Sequence, residues 1–348
     1  MLYLICLRAR AEGRSPLVMA ARNCHRTFVF AAAMLDFDVC WLCPPAKGSY
    51  LACKITPALL DSALGAAEKK PDAVYITSPD YLGNVADIAG LAEVCHRHGV
   101  LLAVDNAHGA YLRFLPVSRH PIDLGADICC DSAHKTLPVL TGGAYLHISN
   151  NAPALFAAEA RRALALFGST SPSYLILESL DAANRELAGD FPARLADMAE
   201  RTSALRRKLA AHGFTVIGDE PMKLTVAAKP WGYTGTGLAS ALESTGVVCE
   251  FADPDLLVQR AIRTVGHCEF SDVEAGTAAA GGQRSPQQRH DERAEDGQRH
   301  HGTPAPHRLD QTTDQRAEAA HRGRDPGRDP HHGGVVTVVQ ADQQLARP

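Results

Sequence analysis

The chain has 348 residues, a formal net charge of -4 and an ordinary share of charged side chains. That length leaves room for two domains, and the mildly acidic balance gives no support for nucleic-acid binding. The opening M-L-Y-L-I-C-L run is too short to span a bilayer and lacks the basic start of a signal peptide, so no membrane partner is expected.

In chain order, Ser15 to Ala21 reads as a buried strand, followed by the turn R-N-C-H-R-T. Phe28 to Leu35 is a predicted helix and Asp38 to Leu42 the next strand. Thr56 to Lys69 is amphipathic and helical. Ala73 to Thr77 is a strand that ends in the polar turn S-P-D-Y-L-G. Asp87 to His98 carries Ile88, Leu91, Ala92 and Cys95 on one helical face, and Gly99 closes it. Val100 to Val104 is a strand that delivers Asp105. Asp127 to Cys130 is another, and Lys135 follows it in a polar turn. Gly142 to Ile148 is a strand. Three helices are expected over Ala154 to Phe167, Pro172 to Leu187 and Phe191 to His212. Met222 to Ala227, a helix near Thr236 to Thr245, and Val247 to Phe251 form a strand–helix–strand tail. Strands alternating with helices at this spacing predict a mostly parallel sheet with helices on both faces, in the α/β class.

The ten cysteines lie in apolar stretches of a large chain and read as buried reduced thiols of a cytoplasmic protein. Cys40 and Cys43 have C-x-x-C spacing, but no second pair or nearby histidines complete a metal site, and none is expected. Periodicity stops at Leu257 and Val258. Beyond Phe270 there is no aromatic residue, isoleucine or lysine. Residues 259–348 therefore read as a low-complexity, disordered tail, because such a segment buries too little apolar surface to offset its ordering entropy. A genuine tail and a reading-frame change in GC-rich DNA are both consistent with that composition. Val335 to Val339 is a short β-prone segment without an evident partner. The expected division is 1–188 as a large cofactor-binding domain, 189–258 as a partial C-terminal α/β region, and 259–348 as the tail.

Asp105 and Lys135 each lie just past a buried strand. Ligands of open α/β sheets bind beyond the carboxyl ends of the strands, so the two side chains can converge on one crevice. A lysine amine that condenses with an aldehyde, and a carboxylate that keeps a pyridine nitrogen protonated, suit pyridoxal 5'-phosphate.

The motifs A-V-D-N-A-H-G-A-Y, D-S-A-H-K-T-L-P-V-L-T-G-G-A, A-A-R-N-C-H-R-T and G-S-T-S-P-S-Y, in their places from about Ser15 to Val258, resemble the Orn/Lys/Arg decarboxylase family of fold-type I pyridoxal phosphate enzymes. The resemblance implies a fold-type I transferase-like architecture. It also implies a Lys135 Schiff base with the cofactor, Asp105 on the pyridine nitrogen, Ala107 against one ring face and His25 stacked on the other. Ser132 and His134 would bind the phosphate. His108 would share the pocket, and Thr77 and Ser78 would line it below the ring. Thr170 and Ser171 would reach a cofactor site shared across a homodimer. For several of these residues the local sequence offers a second role. His108 also suits the cap of the strand end, Ser132 and His134 suit turn positions, and Thr170 and Ser171 suit an N-cap ahead of Pro172.

The implied reaction is decarboxylation of a basic amino acid, arginine, lysine or ornithine, to the corresponding amine. Transamination would use the same lysine and aspartate. Two departures from the family stand out. The Gly/Ser/Thr-rich segment that cups the phosphate upstream of R-N-x-H is not found, and the C-terminal region breaks off near Val258. A truncated or frame-disrupted, non-catalytic relative is the competing reading. Asn106 stands where many members carry a second acid.

Overall fold

The computed structural model describes residues 1–44, 53–260 and 335–340. The central sheet has seven strands. In chain order these are β1 (Leu17–Ala21), β2 (Asp38–Leu42), β3 (Ala73–Thr77), β4 (Leu101–Asp105), β5 (Ile128–Asp131) and β6 (Gly143–Ile148), with the seventh at Val335–Gln340. Their spatial order is β2-β1-β3-β4-β5-β6 and then Val335–Gln340. Neighbours run parallel except β5 and β6, which are antiparallel. The apolar runs L-V-M-A-A and A-V-Y-I-T suit strands covered on both faces, and β1 and β3 are buried along nearly their whole length.

Two helical layers provide that cover. On one face, α3 (Pro57–Gly65) and α4 (Ile88–Arg97) pack Leu60, Leu64, Leu91 and Cys95 against Met19, Val74, Ile76, Leu102 and Val104. On the other, α1 (Leu2–Ala11), α2 (Arg26–Leu35) and α6 (Ala154–Phe167) pack Leu4, Ile5, Phe28, Phe156 and Ala160 against Val18, Ala20, Tyr75, Ala103 and Ile128. Residues that alternate along β3 and β4 thus serve opposite cores, as the period of a strand requires. This is the mostly parallel, doubly covered α/β sheet expected from the sequence.

Local signals fix the helix ends. The Thr56 side chain accepts from Leu59 N ahead of Pro57, and Asp87 accepts from Gly90 N at the start of α4. The α3 helix stops at Gly65, short of the expected Lys69. Lys135 lies in a short helix, α5 (Ala133–Thr136), and not in an open turn. The helix expected from Pro172 is α7 (Tyr174–Leu187), with Ser173 at its N-cap. Thr170 and Ser171 therefore do not cap it.

After α8 (Phe191–Ala211), a four-stranded antiparallel sheet follows, formed by β7 (Thr215–Ile217), β8 (Lys223–Ala227), β9 (Phe251–Ala252) and β10 (Leu256–Arg260), with α9 (Gly235–Glu243) packed on it. The strand expected over Val247 to Phe251 is confined to its last residue and Ala252. The loss of pattern at Leu257 and Val258 does not end the fold: both are buried in β10, which pairs with β8. Apolar residues on both faces of this strand hide its period. Val335 to Val339, which had no evident partner, lies in a strand parallel to β6. The remainder of the expected tail, 261–334 and 341–348, lies outside the described residues.

Cys6, Cys53, Cys95 and Cys129 are buried free thiols, whereas Cys40 and Cys43 are exposed, against the expectation that the cysteines are buried. Cys40 lies on β2, at the edge of the sheet, where it and its neighbour Trp41 are both exposed. Among the described residues no helix is long and apolar enough to cross a membrane.

Candidate active site

Because β1, β3, β4 and β5 are parallel, their carboxyl ends share one edge of the sheet. Along that edge lie His25 after β1, Thr77 and Ser78 at the end of β3, Asp105, Ala107 and His108 at the end of β4, and Ser132, His134 and Lys135 after β5. Asp105 is in register with Thr77 on one side and Cys130 on the other. The strands that deliver Asp105 and Lys135 are therefore immediate neighbours, roughly 4.8 Å apart. Thr170 and Ser171 are exposed on the connection between α6 and α7.

The Asp105 carboxylate is held at both oxygens. The Tyr75 hydroxyl donates to Oδ2 at 3.0 Å, and the Ala107 backbone N–H donates to Oδ1 at 3.1 Å. The Ser78 N–H donates to the Asp105 carbonyl at 2.9 Å. The Ser78 hydroxyl accepts from Ala86 N, so it ties down the β3 loop and does not open onto the edge. His108 meets Tyr81 edge-on, with ring centroids 6.1 Å apart. His25 is the exposed N-cap of α2, and its Nδ1 accepts from Thr27 N.

Ser132 is the N-cap of α5 but makes no side-chain capping bond. His134 Nδ1 donates to the Gly143 carbonyl at 3.0 Å. A carbonyl only accepts, so this nitrogen carries a proton, and Nε2 can donate to an anion only when both nitrogens are protonated.

A buried polar cluster lies directly beneath. Asp131, the last residue of β5, accepts at Oδ2 from His147 Nε2 (2.9 Å) and His120 Nε2 (3.1 Å). At Oδ1 it accepts from Asn106 Nδ2 (2.7 Å) and the Cys129 thiol (3.4 Å). Burial alone would raise the Asp131 carboxyl, but hydrogen bonds from His120 and His147 outweigh it and hold the group well below the usual carboxylate range. The His120 Nδ1 accepts from Ile122 N, which leaves the proton on Nε2. His120, Cys129 and Asp131 place possible ligand atoms within 4.8 Å of one another. That His120 tautomer and the protonated thiol make the cluster a hydrogen-bonded hub, since metal ligation needs an unprotonated nitrogen and a thiolate. Asn106 N also donates to the Cys130 carbonyl, so its side chain and backbone both cross from β4 to β5. A Cβ at position 109 would collide with the side chains of Asn106, Pro79 and Leu112, so the glycine of D-N-A-H-G could be replaced only if they shifted.

The chain matches the Orn/Lys/Arg decarboxylase family, major domain, over residues 5–225. It belongs to that family. The match begins earlier and ends sooner than the motifs alone suggested. The uncharacterized protein YaaO of Bacillus subtilis is 31% identical over 250 residues, covering 68% of this chain and 51% of that protein. The arginine decarboxylase of the same organism is 30% identical over 212 residues, covering 56% and 42%. The chain thus spans about half the length of the curated relatives it matches. Solved structures share the fold of this family member. Serine palmitoyltransferase of Sphingomonas wittichii aligns with a TM-score of 0.59 at 17% identity, over 80% of this chain and 71% of that one. Pyridoxamine-pyruvate aminotransferase of Mesorhizobium loti aligns at 0.59 and 17%, over 78% and 74%.

Pyridoxal phosphate is the cofactor of the Orn/Lys/Arg decarboxylase family, and the residues along the edge fit it. The Thr77 hydroxyl, in register with Asp105, is buried and makes no hydrogen bond, and the Thr136 hydroxyl beside Lys135 is likewise buried without one. Buried hydroxyls without partners are costly, and a polar ligand at the edge would supply what they lack. Sequence reasoning missed Tyr75, and it gave His120 and His147 no role. A tyrosine inside the aliphatic run A-V-Y-I-T, two residues before the strand end, was the available signal.

Proposed function

We propose that this chain binds pyridoxal phosphate at the carboxyl edge of β3, β4 and β5 and decarboxylates a basic amino acid. The observation that carries the reading is the placement of Asp105 and Lys135 at the ends of adjacent parallel strands, with both Asp105 oxygens already fixed. When bound, the cofactor supplies an electron sink for the pair left behind as carbon dioxide departs.

The protein's own groups do the rest. Asp105 holds a proton on the ring nitrogen. Lys135 Nζ would be the point of attachment for the cofactor and would carry a proton to the substrate Cα. Ala107 leaves space for a flat ring, and His25 covers its other face. Ser132 Oγ and, when doubly protonated, His134 Nε2 donate to the phosphate, while His108 lines the pocket. Residues 1–188 form the cofactor-binding part in this reading and 189–258 the smaller one, and the setting is cytoplasmic. Purified protein with pyridoxal phosphate should release carbon dioxide from arginine, lysine or ornithine. Keto acid without carbon dioxide would instead identify a transaminase.

The same reading makes the active unit a homodimer with a shared site. Thr170 and Ser171 lie between exposed apolar side chains, Leu166, Phe167, Tyr174 and Leu175, with Tyr174 86% exposed. Large apolar side chains exposed this close together in the chain support a contact there. Tyr174→Asp should convert the dimer to monomer in sedimentation velocity and weaken cofactor binding by about tenfold. A wild-type monomer, or a variant that stays dimeric, would count against the shared site.

A further inference from the structure

The side chain of Tyr75, on the neighbouring strand β3, reaches the Asp105 carboxylate. We propose that Tyr75 is a positioning residue: its hydroxyl fixes the plane of the Asp105 carboxylate so that the acid meets the ring nitrogen of the bound cofactor. The inference rests on the proposed cofactor site and adds to it a residue outside the family motifs that identify that site.

The geometry is specific. Asp105 Oδ1 accepts from the Ala107 N–H and Oδ2 from Tyr75, so the carboxylate has a donor on each oxygen and cannot rotate without breaking one bond. Each oxygen keeps a second lone pair for a further donor. Tyr75 is itself immobile. It is 4% exposed, and its ring packs on Phe28 with centroids 4.6 Å apart. Burial, reinforced by the neighbouring Asp105 charge, pushes its phenol well above the ordinary value, so the hydroxyl keeps its proton and stays a donor. A rigid donor on the strand core therefore sets the direction of an acid at the strand end.

The role predicts an effect confined to the ring nitrogen. Tyr75→Phe removes only the hydroxyl and keeps the ring. Full-length protein, wild type and variant, is titrated by fluorescence with pyridoxal phosphate and with its 1-deaza analogue, in which C–H replaces the ring nitrogen. The expected result is about a tenfold loss of affinity for pyridoxal phosphate, the scale of one hydrogen bond to a charged group, with the analogue unchanged. A double-mutant cycle with Asp105→Asn gives a second measurement: once Asp105 is replaced, the Tyr75→Phe effect should vanish. Equal losses for both ligands, no loss for either, or additive effects in the cycle would overturn the role. Failure of the wild type to bind pyridoxal phosphate would remove the cofactor site itself, an outcome distinct from a variant that binds as tightly as the wild type. If Tyr75→Phe does not fold, Tyr75→Met, which removes the donor without adding bulk, goes through the same two titrations, with a loss for pyridoxal phosphate alone expected and equal losses, or none, overturning the role.

Discussion

Lys135→Ala should abolish decarboxylation, with a loss of at least about 10³-fold, and should remove the visible absorbance that pyridoxal phosphate gives the wild-type protein. The two losses have one cause. Lys135 is the amine supplied by the short helix after β5, next to the strand that ends in Asp105. Its removal takes away both the attachment point and the proton carrier, and leaves Asp105, Tyr75 and the sheet edge intact. The variant should therefore fold normally and still bind the cofactor non-covalently, with weakened affinity. Retained visible absorbance in Lys135→Ala would mean that another lysine carries the aldehyde.

Asp131→Ala should cost about 3–5 kcal/mol of folding stability, the scale expected when one partner of a buried charged network is removed. The carboxylate satisfies His120, His147, Asn106 and Cys129 at once, and alanine would leave these donors buried without an acceptor. Urea unfolding at neutral pH measures the loss. The pH dependence has a definite sign. The folded-state carboxyl is held below its unfolded value of about 3.9, so its contribution is complete above that value and fades as pH falls below about 4. Wild-type stability should drop steeply in that acid range, and Asp131→Ala should show a flatter profile there. Parallel profiles would mean that Asp131 is not the group that titrates.

Most of the sheet could be read from the chain, because parallel strands buried on both faces leave short apolar runs bounded by turns. β2 and β3 fall where the pattern placed them, and Asp105 and Lys135 follow neighbouring strands. Less legible were features set by tertiary context. β10 is apolar on both faces and carries no alternation. Strand Val335–Gln340 has a partner only because β6 lies at an open position in the sheet. The cap at Ser173 depends on a loop conformation that Thr170, Ser171 and Pro172 do not specify. His120 and His147 carry no local signal: pairing of β6 with β5 brings His147 onto Asp131, and the loop ahead of β5 brings His120. Tyr75 looks like core packing until the register sets its hydroxyl against Asp105.

The central claim is that Lys135 is the residue to which the cofactor becomes attached. Incubation of the full chain with pyridoxal phosphate, reduction with borohydride and peptide mass spectrometry test it most directly. One phosphopyridoxyl adduct on the peptide containing Lys135 is the predicted result. An adduct confined to other lysines, or none at saturating cofactor, would contradict the account.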